Sequence, residues 1–318
     1  VTNPPLWRQT PPVIFALCLG FMDMTMAWYK AGNMHLAPPV VGDVLLWLAP
    51  AYFVFFLGLY IAKFVTRPAI VIEDMAEPPA RAGVSALAMA LMIMPLLLMA
   101  HGVELPLLWE IAVVLHLTIA ALVGWVIWRE PADMRAFTPF QFLAFAGIIV
   151  APVAGVPLGH IRLSYWITVL ALVPLIVITV GFGRKLLHTR PPAPLRPSLV
   201  IVLAQVGLFS LAFGHLGVPW AFTLFYWMAW ALALVFLAAG FWLTKGGWSP
   251  AWSAFTFPVA VFANLQLFAI SKGYGILAVA GFYAALAIGS AMLCFVLFKT
   301  TLAFKSGMLS AKSGAATA

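Results

Sequence analysis

AGVSALAMALMIMPLLLMA-HGVE-LPLLWEIAVVLHLTIAALVGWVIW, residues 82–128, is two apolar runs joined by four residues, His101–Glu104. Each run is close to the roughly 20 residues that an α-helix needs to cross a bilayer. Glu110 is the one charged residue inside them. A link this short returns the second run antiparallel to the first, so the unit reads as a helical hairpin in lipid.

The same reading extends in both directions. Before it stand Pro12–Lys30 and Pro39–Ala62; after it come Phe137–Gly159 with Leu163–Leu187, Pro197–Gly214 with Val218–Thr244, and Pro250–Ser271 with Gly273–Ala303. Links inside a pair are short, and links between pairs are mostly longer or richer in charge and proline. The expectation is an all-α integral membrane protein: ten transmembrane helices in five hairpins. They form a single domain over residues 1–305, followed by a disordered cytoplasmic tail over 306–318 that is rich in Ser, Ala, Gly and Lys. Repetition lies in the hydropathy rather than in the letters.

Composition agrees. Hydrophobic residues make up 64% of the 318 and charged residues 8%, with a mean hydropathy of +1.07. A soluble chain carries about a quarter charged residues, so lipid must be the solvent for most of the exterior. The net charge of +8 sits between apolar runs instead of on a soluble module, which argues against nucleic acid as a partner. Fourteen of the 17 Lys and Arg fall on the side that holds both termini; only Lys30, Arg162 and Lys272 fall on the other. Positive loops stay cytoplasmic, so both termini are expected inside the cell membrane. Cys18 and Cys294 lie in apolar runs and read as small core residues.

Three odd-numbered helices carry a proline well inside the membrane: Pro95, Pro152 and Pro258. A mid-helix proline removes a backbone hydrogen bond, and the freed carbonyl must find a partner or a watery cavity. Even helices have Pro50 and Pro174, so the contrast is one of degree. A set of kinked helices around one axis encloses a lumen; proline is also simply commoner in membrane helices.

Several short motifs occur in order along the chain: Leu19-Gly20 through Ala27-Trp28, Gly42-Asp43-Val44, Pro79-Ala80-Arg81 with Pro95, Leu195-Arg196-Pro197-Ser198 before Ile201-Val202-Leu203-Ala204, and Ala254-Phe255-Thr256-Phe257-Pro258 with Ala263-Asn264. Together they resemble the tellurite-resistance/dicarboxylate transporter family, which includes bacterial TehA proteins, fungal malate and sulfite transporters and plant slow anion channels. The resemblance implies a homotrimer with one pore per protomer, odd helices lining a central pore and even helices outside. It also implies a phenylalanine plug on the ninth helix, which falls on Phe257, and a small residue near Ala16 that lets the plug approach the first helix. Without the flanking motif, Phe257 would be one of 25 phenylalanines that merely pack.

Helical spacing from Phe257 places Val261 and Asn264 on its face, and Ala16, Gly20 and Asp23 form a stripe on the first helix. The pore-lining candidates are therefore Ala16, Gly20, Asp23, Pro95, Pro152, Gln205, Pro258, Val261 and Asn264. Gln205 stands where the family often has proline. Asp23 is costly at membrane depth. Three roles stay open for it: a neutral carboxyl that titrates during transport, an ion pair, or a hydrogen bond to opened backbone.

The outer ends of the odd helices each carry a basic or imidazole group: Lys30 and His35, His101, His160 and Arg162, His215, and Lys272. Such a ring would concentrate anions at an external mouth; the plainer reading is ordinary interfacial polarity. Trp28, Trp109, Trp128, Trp166, Trp220 and Trp248 read as interfacial belt residues, and Glu110 and His116 as packing groups of an outer helix. No metal-spaced histidine cluster, paired carboxylates or nucleophile motif occurs, so neither an enzyme nor a metal or other cofactor is expected. The function expected is an anion channel for small monovalent anions. The alternative is a carrier or efflux protein for sulfite, tellurite or C4-dicarboxylates, proton-linked through Asp23.

Overall fold

The computed structural model describes residues 5–131, 135 and 137–317. Among them every regular element is helical. In chain order the principal segments are α1 (Ile14–Asn33), α2 (Pro39–Thr66), α3 (Pro78–Ala100), α4 (Pro106–Arg129) and α5 (Phe142–Gly155), then α6 (Ile161–His188), α7 (Ala193–His215), α8 (Pro219–Ala238), α9 (Pro250–Ser271) and α10 (Gly275–Lys305). Eight of these, all but α1 and α5, are long and apolar enough to cross a membrane.

The two that fall short do so for different reasons. Helix α1 has 20 residues, but Asp23 and Lys30 interrupt its apolar character. Segment α5 has the wrong backbone. It opens as a π turn over Phe142–Ala146, tightens to 3-10 over Gly147–Ile149, and is α-helical only over Val150–Gly155. Its 14 residues would span only about 21 Å even as regular helix. By contrast, α3 runs unbroken through Pro95 and α9 through Pro258. The proline expected to kink the fifth helix, Pro152, thus lies just past the broken backbone, in the first turn of the short α-helical part, whereas its counterparts are absorbed inside long helices.

Local sequence explains the ends. Helices α2, α3, α4, α8 and α9 begin on a proline, where the missing N–H costs nothing. The turns after the odd segments each contain one left-handed residue: His35 (φ 56°), Gly102 (φ 76°), Gly159 (φ 87°), Gly217 (φ 72°) and Gly273 (φ 82°). Four are glycine, the residue that adopts this conformation without steric cost.

Segments joined by these turns pack side by side, and the odd segments also touch one another in the closed order α1, α3, α5, α7, α9, α1. Between 83% and 89% of the apolar stretch of α3, α7 and α9 is buried, against 22% to 39% for α2, α4, α6, α8 and α10. The odd segments are the inside of the molecule and the even ones its surface.

The link after α2 is pinned rather than loose. It contains a short helix, Ile70–Ala76. Asp74 Oδ2 lies 3.1 Å from Lys63 Nζ and accepts the Tyr60 hydroxyl at 3.0 Å, all buried. Lys63 Nζ also donates to the Thr10 carbonyl at 3.0 Å. Arg81 pairs with Glu130 and donates Nε to the Met75 carbonyl at 2.6 Å. The C-terminal stretch expected to be disordered instead forms a helix over Met308–Ser313, between Gly307 and Gly314, both left-handed. Leu309 is fully buried, and the Ala316 N–H donates to Asp74 Oδ1 at 2.8 Å. One apolar anchor and two glycine caps outweigh the polar composition there.

Candidate functional site

Two cavities lie within the ring of odd segments. The inner one, about 20 Å³, is lined by Val13, Ala16 and Leu19 before and on α1, Pro79 and Ala82 on α3, and Phe140 and Leu143 at the start of α5. Ile201 on α7 and Ala254, Phe257 and Pro258 on α9 complete it. All five odd segments contribute, and no even one does. That volume holds about one water molecule, so this end of the ring is closed. The outer cavity, about 260 Å³, lies among α1, α3, α5 and α7. It is lined by Met26, Tyr29 and Lys30, by Leu96, Met99 and Ala100, by Val153 and Pro157, and by His215.

The residues between the cavities can be followed along each helix. On α7, Gln205, Leu208 and Ala212 lie on the face that joins Ile201 at the inner cavity to His215 at the outer one. On α1, Asp23 lies on the corresponding face between Leu19 and Met26. This middle section is buried, yet it holds polar groups. Gln205 is fully buried with neither amide atom hydrogen-bonded, and Asp23 Oδ2 and Asn264 Oδ1 are also without partners.

Phe257 is held by close approach of α1 and α9. A β-carbon on Gly20 would lie 2.2 Å from Thr256 Oγ1 and 2.7 Å from the Phe257 backbone nitrogen. The small residue that admits α9 is therefore Gly20; Ala16, one turn earlier, lines the cavity beneath. Pro258 has no N–H to offer the Ala254 carbonyl. About two turns beyond Phe257, Asn264 Nδ2 donates to the Asp23 carbonyl at 2.9 Å and to the Ala260 carbonyl at 3.2 Å. Asn264 thus ties α9 to α1. Val261 lies in the seam between α9 and α7, against Gly207. Among the described residues no lysine or arginine lies within ion-pair distance of Asp23.

Pro95 is buried in α3 directly before Leu96 of the outer cavity. Pro152 is buried in α5 directly before Val153. At the broken α5, Trp109 Nε1 donates to the Ala151 carbonyl at 3.0 Å. Trp109 is fully buried, so it braces α5 and is not an interfacial belt residue. A tryptophan four residues into a helix that follows a short turn gives no local sign of which way it faces.

Of the seven outer groups, three converge. Lys30 and His215 share the outer cavity. Lys272 Nζ stands 5.2 Å from the Phe268 ring, which packs against His215 at 4.9 Å. Lys30 and Lys272 both act electrostatically on His215. The others diverge. His101 packs on Trp47 at 4.4 Å, and His160 stacks on Trp109 at 4.6 Å and faces Glu110 at 3.6 Å. His35 and Arg162 are exposed. Apart from Arg162, the second residue of α6, these groups sit at or just past the C-terminal ends of the odd segments or in their turns, where partial negative charge at a helix end favours a cation. That local preference makes the sequence pattern regular whether or not the side chains meet.

No curated protein matches the chain. The family model described as SLAC1, voltage-dependent anion channel, matches residues 9–302, nearly the whole length. A multi-pass apolar bundle with buried odd segments and this match have one consequence: the chain belongs to the SLAC1 voltage-dependent anion channel family.

Proposed function

We propose that the protein conducts small monovalent anions, chloride- or nitrate-like, along the axis of the odd-segment ring, with the Phe257 side chain as the plug. The observation that carries this reading is the inner cavity. All five odd segments line it, Phe257 borders it, and it has room for about one water. An aromatic ring in an apolar constriction blocks ions sterically and by dewetting. At the other end, Lys30, His215 and Lys272 supply positive potential for anion entry.

In this reading all ten segments cross the bilayer, with both termini cytoplasmic. Segments α1 and α5, which are too polar or too broken to face lipid, both belong to the inner ring. Irregular backbone at membrane depth is tolerated where protein surrounds it. Assembly as a homotrimer with one pore per protomer follows from the family resemblance. Residues Ala16, Gly20, Asp23, Gln205 and Asn264 then lie on or beside the conduction path.

The decisive experiment is halide flux into proteoliposomes for the native protein and Phe257→Ala. A large rise on truncation supports the plugged pore; slow, saturable exchange in both would sink it. One observation favours a second reading, a proton-linked carrier. Asp23 is a buried carboxyl with an unpartnered oxygen, placed between the two cavities. Transport that keeps its pH dependence in Asp23→Asn excludes that coupling.

A further inference from the structure

A slot of about 280 Å³ opens in the outer wall between α8 and α10. Its back is α9, where Phe255, Val259 and Phe262 face it, while Phe257 borders the inner cavity on the other side of the same helix. Its rims include Leu237 and Ile288, both exposed. The walls are aliphatic and aromatic, with Thr244 at one end. Along α10 the lining runs from Gly281 to Met292, about 16 Å of helix. That is the depth of one leaflet of a hydrocarbon core about 30 Å thick. Apart from the Trp230 indole N–H and Thr244, such walls offer water no partners, and an empty void forfeits the contacts its lining could make.

Cations mark the end of the slot at Thr244. Lys245 follows directly and is exposed. Arg196 lies 4.5 Å above the Trp242 ring and donates Nη1 to the Trp242 carbonyl at 3.3 Å. The sequence offers these cations no acidic partner nearby in the chain. All nine Asp and Glu fall within the first 133 residues, and the remaining 185 carry eleven of the 17 Lys and Arg and no acidic side chain. Anionic lipid headgroups on the cytoplasmic leaflet neutralise such a surface.

We propose that the slot is a binding site for one acyl chain of an anionic phospholipid of the cytoplasmic leaflet, with the headgroup phosphate at Arg196 and Lys245. The inference rests on the membrane orientation given under Proposed function and not on anion conduction. The bound chain presses on the back of the helix that carries Phe257, so lipid composition acts on the plug from behind.

The test uses full-length protein in phosphatidylcholine vesicles containing phosphatidylglycerol with a photoreactive group midway along one chain. Irradiation is followed by peptide mapping. The expected result is labelling concentrated on residues 230–244 and 281–292, and reduced at least fivefold by Ala284→Trp or Ile288→Trp, two rim substitutions on the exposed face of α10. Arg196→Gln with Lys245→Gln should remove the preference for phosphatidylglycerol over phosphatidylcholine. Labelling spread evenly over α2, α4 and α6, or unchanged in both tryptophan variants, overturns the site. So does efficient disulfide linkage between copies carrying Ile288→Cys in a Cys294→Ser background, since a second protein copy would then fill the slot. None of these readouts depends on flux, so the site and the conduction reading fail independently.

Discussion

Gly20 and Phe257 are in backbone contact: a β-carbon on Gly20 would stand 2.7 Å from the Phe257 nitrogen and 2.2 Å from Thr256 Oγ1. Neither neighbour is the far end of a flexible side chain, so α9 itself must shift to admit one. Gly20→Ala is therefore expected to cost about 1–3 kcal/mol as an overpacked core substitution and to raise basal anion flux by displacing the plug. Thermal unfolding and halide flux on the same preparation check both effects. Unchanged stability would mean that α1 and α9 are not packed as described.

The plug itself should grade with side-chain size. Phe257→Ala is expected to give a large rise in flux, Phe257→Leu an intermediate one, and Phe257→Trp none. The side chain is almost fully buried, so truncation also costs about 3–5 kcal/mol. Flux must be compared at temperatures where every variant remains folded. A flat series would remove Phe257 from the conduction path.

The outer cations predict a salt signature. Neutralising Lys30 and Lys272 removes the two cations that act on His215. Lys30→Gln with Lys272→Gln should lower anion flux severalfold at about 10 mM salt and much less at about 150 mM, because screening shortens the reach of the lost potential. The matching control is His101→Gln, whose ring packs on Trp47 away from this cluster; it should leave flux unchanged. Equal losses at both salt concentrations would point to a packing defect.

The pair Lys63–Asp74 predicts a stability asymmetry. Both side chains are fully buried, and Asp74 also receives the Tyr60 hydroxyl and the Ala316 N–H. Asp74→Ala leaves an ammonium group buried without its counter-charge and should cost about 3–5 kcal/mol. Lys63→Met with Asp74→Leu should recover much of that, because desolvating an ion pair offsets most of its attraction. Deleting residues 308–318 should also destabilise the protein, since Leu309 and the Ala316 contact are lost. Denaturant or thermal titration in detergent measures all three; a harmless truncation would mean that the terminal helix is not docked.

Length and hydropathy were legible from the residues alone, because a bilayer imposes them locally. About 20 apolar residues make a crossing, a proline suits a helix start, and glycine suits a left-handed turn. The turns at Gly102 and Gly217 lie where the letters put them, while Gly273, read as the start of the tenth run, belongs to the turn before it. The motif around Phe257 was legible too, as was the placing of basic groups at helix ends. Which way each residue faces was not. In a soluble helix, polarity marks the outer side; in lipid both sides are apolar, so that signal vanishes. The sequence by itself therefore determined an all-helical membrane protein of one family. Only the tertiary structure decided that Gly20 touches α9, that Val261 fills a seam against Gly207, and that Asn264 ties to the Asp23 carbonyl 241 residues away. It also decided that α5 is broken backbone and that the terminal helix docks on Asp74. Each of these depends on the rotation of one helix against another, and contacts between distant segments set that rotation.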